Sequence, residues 1–466
     1  MRRRPWLILC VALTLVLGGV LGYRALRPRP APERELYRKV LPAWQAARFR
    51  PMSSAGSAEA RALVQAAKPW PELAAELARL DPAWPDEDAV RKAVEATNRA
   101  ARAAGLPYYL DVQLVRDRPI VLTYEVVRRT PWRAGDKSVE LLRVRRLDTL
   151  NVELAMLGET QGTSPRVLLD RIEASLAREL PLMLPPGGSG AGAGTGAAKA
   201  TPRGLSDGMK LNEADEAALQ RLRAHLETRL GAAELRSAIE KLRAREELLE
   251  SMRARFHKGS VRLSRPDGFV LGEAWVDSMQ PYTRLDRPGG PLMLDTDLRG
   301  VARADEELRS GAVAEALRRI LDELAAATDV HEVRHALDGQ LPAPPPPPSL
   351  VALFPAGDLR FPGLASLELR AYLAELHHGA LPPCVTAAKL TRNVYGALAR
   401  RTPHFFAGYL ILHELLPAQP AQAEPSPVER LTALCSLPES TLRSRATALW
   451  QSLYGEPLQA AMPVRP

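Results

Sequence analysis

"DVHEVRHALDG" occupies residues 329–339, and how the chain is understood turns on whether its helix carries a site or only a core stripe. His331 and His335 stand four residues apart, with Glu332 directly after the first, which is an HExxH pattern. On an α-helix, residues four apart lie above one another, so both imidazoles can face one divalent ion, while Glu332 sits about 100° round. A catalytic zinc takes three protein ligands and keeps a position open for water, whose pKa it lowers to about 7. A glutamate beside the ligands can then accept that water's proton. The same spacing also continues an apolar stripe from Leu324 through Thr328, which would leave both histidines as core residues and Glu332 as a solvated one.

An HExxH pair lacks a third ligand, and a later helix-like run, "LASLELRAYLAELHHG" at residues 364–379, offers several. With Glu368, Ala371 and Tyr372 in "ELRAY", the sequence resembles the gluzincin branch of zinc metallopeptidases. In that branch a glutamate in an ExxA-type stretch completes a His–His–Glu site. The resemblance implies zinc as cofactor, His331, His335 and Glu368 as its ligands, and Glu332 as general base. Glu375, His377 and His378 are lesser ligand candidates. The metzincin extension HExxHxxGxxH is absent, because Asp338 stands where its glycine would be. Thr328, Val333, Ala336 and Leu337 fit the extended zincin consensus, whereas Asp329 and Arg334 put charges where it prefers none. Asp338 is either an acceptor that orients an imidazole or a plain helix-end carboxylate. In such families an edge strand beside the active helix holds extended peptide, and a Tyr or His serves the tetrahedral intermediate. Tyr372, His377 and His378 are the nominees for that role. The resemblance rests on two short motifs and spans roughly residues 300–380.

Around this motif, 466 residues with 46% hydrophobic and 25% charged residues make a globular chain of two or three domains. Aromatic residues are 5% while Leu, Ala and Arg abound, so aliphatic helices should predominate over strands. The net charge of +9 comes from arginines scattered among acids, with no basic block interleaved with aromatics, which argues against a nucleic-acid partner. Cys10, Cys384 and Cys435 show no CxxC spacing, which excludes a disulfide scaffold and a cysteine zinc ribbon. A Cys384–Cys435 bridge and two free thiols both remain open.

"MRRRPWLILCVALTLVLGGVLGYRALRPRP" begins the chain. Its uncharged run from Trp6 to Tyr23 would reach about 27 Å as a helix, enough to span the hydrocarbon core of a bilayer. Val20 and Gly22 make a weak cleavage site followed at once by Tyr23 and Arg24, so an uncleaved single-pass anchor is expected over residues 1–30. It would sit in the inner membrane, with the bulk of the chain facing the periplasm or cell exterior.

Residues 31–185 read as an α+β domain. Helices run to about residue 104, three antiparallel strands lie in "YYLDVQLVRDRPIVLTYEVVRRT" and "SVELLRVRRLDTLNVEL", and a further helix begins in "SPRVLLDRIEASLARELPLML" with Val167, Leu168, Ile172, Leu176 and Leu180 on one side. Residues 186–209 are a Gly/Ala-rich linker. Residues 210–466 read as a helical, zincin-like domain with a small sheet. In it Asn212 caps the first of two charged helices that part at Gly231, residues 260–276 form a hairpin, and Gly339 ends the motif helix in a left-handed cap. Residues 342–348, "PAPPPPP", form a stiff spacer. "PHFFAGYLILHELLP" is a core-covering helix too short in its apolar run to cross a bilayer, and His413 and Glu414 in it are structural.

The expected fold is therefore α+β and predominantly helical. The expected activity is hydrolysis of peptide bonds in a peptide or protein substrate, with a protein partner accommodated on residues 31–257. The alternative is a non-catalytic envelope scaffold whose HExxH is relict or accidental.

Overall fold

A computed structural model describes residues 32–49, 56–115, 118–147, 158–161, 164–183, 213–256, 269, 271, 273–283, 293–340, 344–354, 360–395, 401–416 and 426–464. The expected anchor over 1–30, the linker over 186–209, the Asn212 cap and most of the 260–276 hairpin lie outside them. The fold is mostly helical with a small mixed sheet. Among the described residues no helix is long and apolar enough to cross a membrane. The described residues form two compact units: one runs to Val126 and takes in 146–147, the other holds 127–145 and everything from Gly158 onward.

In the first unit, α1 (Leu41–Phe49), α2 (Gly56–Ala66), α3 (Pro71–Leu77) and α4 (Glu87–Ala103) share a core with β1 (Tyr108–Val115) and the first half of β2 (Arg118–Ala134). Asp86 caps α4 by accepting from the Ala89 N–H at 2.8 Å. Val90, Ala93, Val94 and Ala101 form the buried stripe of α4, at the three-and-four spacing that lays one helix face on a sheet. β1 and β2 are antiparallel, with Tyr109 opposite Tyr124.

The second unit carries the later half of β2, β3 (Lys137–Arg146), β4 (Gly158–Gln161) and β5 (Ser164–Leu168) in the order β2-β3-β5-β4. Antiparallel pairing is expected of the first three strands and is seen for β1 and β2; β5, in a segment expected to be helical, runs parallel to β3 and antiparallel to β4. Val167 and Leu168, expected on the following helix, belong to β5. Pro165 and β-branched Val167 favour extended backbone, and α5 (Leu169–Glu179) starts only after them.

Two charged helices, α6 (Glu213–Leu230) and α7 (Ala232–Phe256), part at Gly231 as expected, with φ at 97°. Residues 273–276, at the end of the expected hairpin, are instead helical, in α8 (Glu273–Met279). Its Trp275 and Val276 pack on a satellite cluster of Leu249, Met252, Met293, Leu298 and Val301. That cluster includes residues of α9 (Asp295–Arg309), so the apolar pattern is used at helical period.

The HExxH motif closes α10 (Gly311–Asp338), a single 28-residue helix whose last two turns are almost wholly buried. Gly339 follows at φ −65°, a right-handed conformation, so the expected left-handed cap is not formed; its N–H bonds back to His335 O. α11 (Arg360–His378) packs on α10, and α12 (Pro383–Tyr395), α13 (Pro403–Leu415), α14 (Pro427–Ser436) and α15 (Glu439–Tyr454) pack on α11 and on one another, with the short β6 (Met462–Pro463) closing on β2. The second core lies among α11 to α15.

Cys384 of α12 and Cys435 of α14 form a disulfide across a sequence separation of 51. Closing a loop of that length removes denatured-state entropy worth about 2–4 kcal/mol. A Cys384→Ser, Cys435→Ser protein is accordingly expected to unfold at lower denaturant with a steeper slope, because the denatured chain without the bridge exposes more surface, read by urea titration.

Candidate metal centre

The two helices carrying the predicted ligands, α10 and α11, pack side by side. His331 and His335, one turn apart on α10, turn their Nε2 atoms toward each other at 3.2 Å. Glu368 of α11 meets them, with Oε2 3.4 Å from His331 Nε2 and Oε1 3.4 Å from His335 Nε2. In a tetrahedral site with ligand bonds of about 2.0–2.1 Å, neighbouring donor atoms are separated by about 3.3–3.4 Å. The separation of the two imidazole nitrogens is close to that edge, while Glu368 offers a different oxygen to each ring; with one donor atom per residue the three lie within 4.8 Å of one another. Glu368 Oε2 is buried and makes no aligned hydrogen bond, although His404 Nδ1 lies 2.8 Å away. Two imidazoles and one carboxylate are a donor set that fits zinc in chemistry.

The surroundings tune the group. Glu375 places Oε2 3.2 Å from His331 Nδ1, on the far side of the ring from Nε2. It is held there by the Thr386 hydroxyl at 3.0 Å and Lys389 Nζ at 3.4 Å, both from α12. His331 Nδ1 makes no aligned hydrogen bond, so Glu375 stands as a nearby carboxylate at the position from which a metal-bound imidazole is oriented. Burial alone would raise the Glu375 carboxyl, but Lys389, His331 and Thr386 outweigh it and draw it down to about 2. Burial would likewise depress His331, yet the carboxylates of Glu368 and Glu375 carry it up to about 9. Glu368 is held well below the usual carboxylate range, against its own burial, by His331, His335 and His404.

Glu332 is buried next to these residues. The Thr160 hydroxyl, from β4, donates to its Oε2 at 2.8 Å and to its backbone carbonyl at 3.1 Å. β4 can lie this close because residue 158 is glycine: a Cβ there would stand 2.6 Å from Glu332 Cγ and Oε1. β4 is thus packed along α10 at the motif and ends the strand order of the sheet.

Tyr372 sets its ring 4.6 Å from that of His331, and Asn393 donates to its hydroxyl at 3.2 Å. Burial, then the nearby carboxylates of Glu368, Glu375 and Glu332, push its phenol well above the ordinary range, so it stays protonated. Its hydroxyl is 3.2 Å from His404 Nδ1. His404, in the first turn of α13, was not singled out in the sequence; it lies far along the chain and in no ligand spacing, and only the packing of α13 on α11 reveals it.

Other expected residues are placed elsewhere. His377 has Nδ1 2.7 Å from Thr447 Oγ1 of α15. Burial, then neighbouring His377, Arg443 and Arg334, pull His378 down to about 4, leaving it neutral. Neither joins the His331–His335–Glu368 group. Asp338 orients no imidazole; it accepts from Arg334 and from Arg370. The charges that departed from the zincin pattern are both buried in ion pairs, Arg334 with Asp338 and Asp329 with Arg143 of β3 at 2.6 Å. His413 lies 3.3 Å from the Tyr395 hydroxyl and stacks on Tyr409. Against this geometry, no known family model, curated protein or solved structure matches the chain.

Proposed function

We propose that the protein is a zinc metallopeptidase, anchored in the membrane through residues 1–30, that hydrolyses peptide bonds in the cell envelope. The observation that carries this reading is the convergence of two imidazoles and one carboxylate, with donor atoms within 4.8 Å of one another, and a second, immobilised carboxylate beside them. His331, His335 and Glu368 are the ligands. Zinc supplies Lewis acidity there and a water of lowered pKa. Glu332, steadied by Thr160, takes the proton of the water that attacks the peptide carbonyl. The protonated phenol of Tyr372 and the imidazole of His404 are the donors for the charge that develops on that carbonyl oxygen. The outer edge of β4 offers backbone N–H and C=O groups to an extended peptide.

The disulfide agrees with an oxidising compartment, where such bridges persist. In this reading the first compact unit, which ends at Val126 and takes in 146–147, positions substrate or a protein partner, whereas the rest of the expected 31–185 domain belongs to the unit that carries the site. A rival reading has its own support: His331 lies between the carboxylates of Glu368 and Glu375, an arrangement that satisfies itself as a buried charge cluster in a scaffold without an ion.

Elemental analysis of the full chain separates the two. The expected result is one zinc per chain, with cleavage of unfolded casein abolished by 1,10-phenanthroline and restored by zinc. Zinc at background in protein purified without chelator would leave the scaffold.

A further inference from the structure

Beside the ligand helices lies a cavity of about 100 Å³ that the reaction proposed above does not use. It is walled by Arg334 and Asp338 from the end of α10, Arg370 from α11, Trp450 from α15, Lys137 at the start of β3 and Glu456 just beyond α15. Both guanidiniums grip the single Asp338 carboxylate, Arg334 through Nε at 3.0 Å and Arg370 through Nε at 2.8 Å and Nη2 at 3.1 Å. Both also lie on the face of Trp450, at 4.7 and 4.5 Å from its centroid.

The charges do not balance. Three cations line the cavity against two carboxylates, and one of these, Glu456, is 57% exposed and only 3.5 Å from Arg370 Nη2. Asp338 is already engaged by both arginines. Arg370 is 2% exposed, yet its Nη1 has no hydrogen-bond partner. No carboxylate of the described residues pairs with half-buried Lys137. Buried cationic groups in excess are expensive and favour an anion that satisfies the remaining N–H donors. Arginine forks are shaped for the paired oxygens of phosphate or carboxylate, and the volume exceeds what a single water needs.

We propose that this cavity is a small-oxyanion site, taking a phosphate or carboxylate group between Lys137, Arg334 and Arg370 over the Trp450 ring. Arg334 and Arg370 neighbour His335 and Glu368 in sequence, so an anion bound here braces the two ligand helices against each other. The site does not depend on zinc being held by His331, His335 and Glu368, and its test is made on chelator-treated and zinc-loaded full chain alike.

Calorimetric titration with inorganic phosphate and, separately, with acetate is compared at ionic strength held constant with sodium chloride. Lys137→Met and Glu456→Gln serve as variants, since both side chains lie at the rim and leave the Arg–Asp core untouched. One-site binding is expected, weakened about tenfold by Lys137→Met, which removes a charge-assisted hydrogen bond, and tightened about threefold by Glu456→Gln, which removes a competing carboxylate. Preference for phosphate or for acetate identifies which group the site takes. Absence of saturable heat with both anions, or affinities unchanged in both variants, overturns the proposal.

Discussion

A Glu332→Gln protein is expected to keep its full zinc content and to cleave peptide about 10²–10⁴-fold more slowly, the usual contribution of a positioned general base. The substitution is chosen for what it preserves. Glutamine has the same shape, so it fits beneath Gly158, where there is no room for added atoms. Its amide oxygen can still accept from the Thr160 hydroxyl that now bonds Oε2. What disappears is the capacity to take a proton. A fluorogenic peptide assay beside mass-spectrometric zinc analysis reads both halves. Cleavage at the wild-type rate places the base elsewhere, and loss of zinc places the Glu332 carboxylate among the ligands. Both outcomes remove Glu332 from the role assigned to it.

The residues that could be read in the linear chain are those whose relation is local. His331 and His335 share a face because a helix repeats every 3.6 residues, and Glu368 could be nominated because its run is helical and follows the motif. Their convergence depends on how α11 lies on α10, which no spacing encodes. The same holds for the residues that hold the site in place. Glu375 is one of four acids and histidines in a single run, and its tie to His331 Nδ1 is visible only in the packed pair. His404 arrives on a helix with no motif at all. Asp338 shows the converse error: three residues past His335 it had the spacing of an imidazole partner, but two buried guanidiniums claim it. Arg334, out of place in a zincin pattern, makes sense only beside Asp338 and Trp450. In the sheet, Val167 and Leu168 satisfy a helical stripe and a strand equally well. Pairing of Val167 with Arg143 across a parallel ladder decides between them, and a parallel pairing leaves no turn signature in the sequence.

His335→Ala and Glu368→Gln are each expected to reduce zinc to background, whereas Glu375→Gln should retain zinc with affinity lowered about 10–100-fold. The ranking follows from position. His335 Nε2 and the Glu368 oxygens form two corners of the donor group, and a site reduced to two ligands loses most of its hold on an ion that prefers four-coordinate surroundings. Glu375 instead touches His331 at the ring nitrogen turned away from that group. Its removal leaves every donor in place and costs only ring orientation. Glutamine at 368 keeps the side-chain volume in a buried position, and melting curves of all three proteins separate loss of metal from loss of fold. Competition with a fluorescent zinc chelator gives the three affinities on one scale. Equal losses from Glu375→Gln and Glu368→Gln would make Glu375 a ligand and redraw the centre around the other nitrogen of His331.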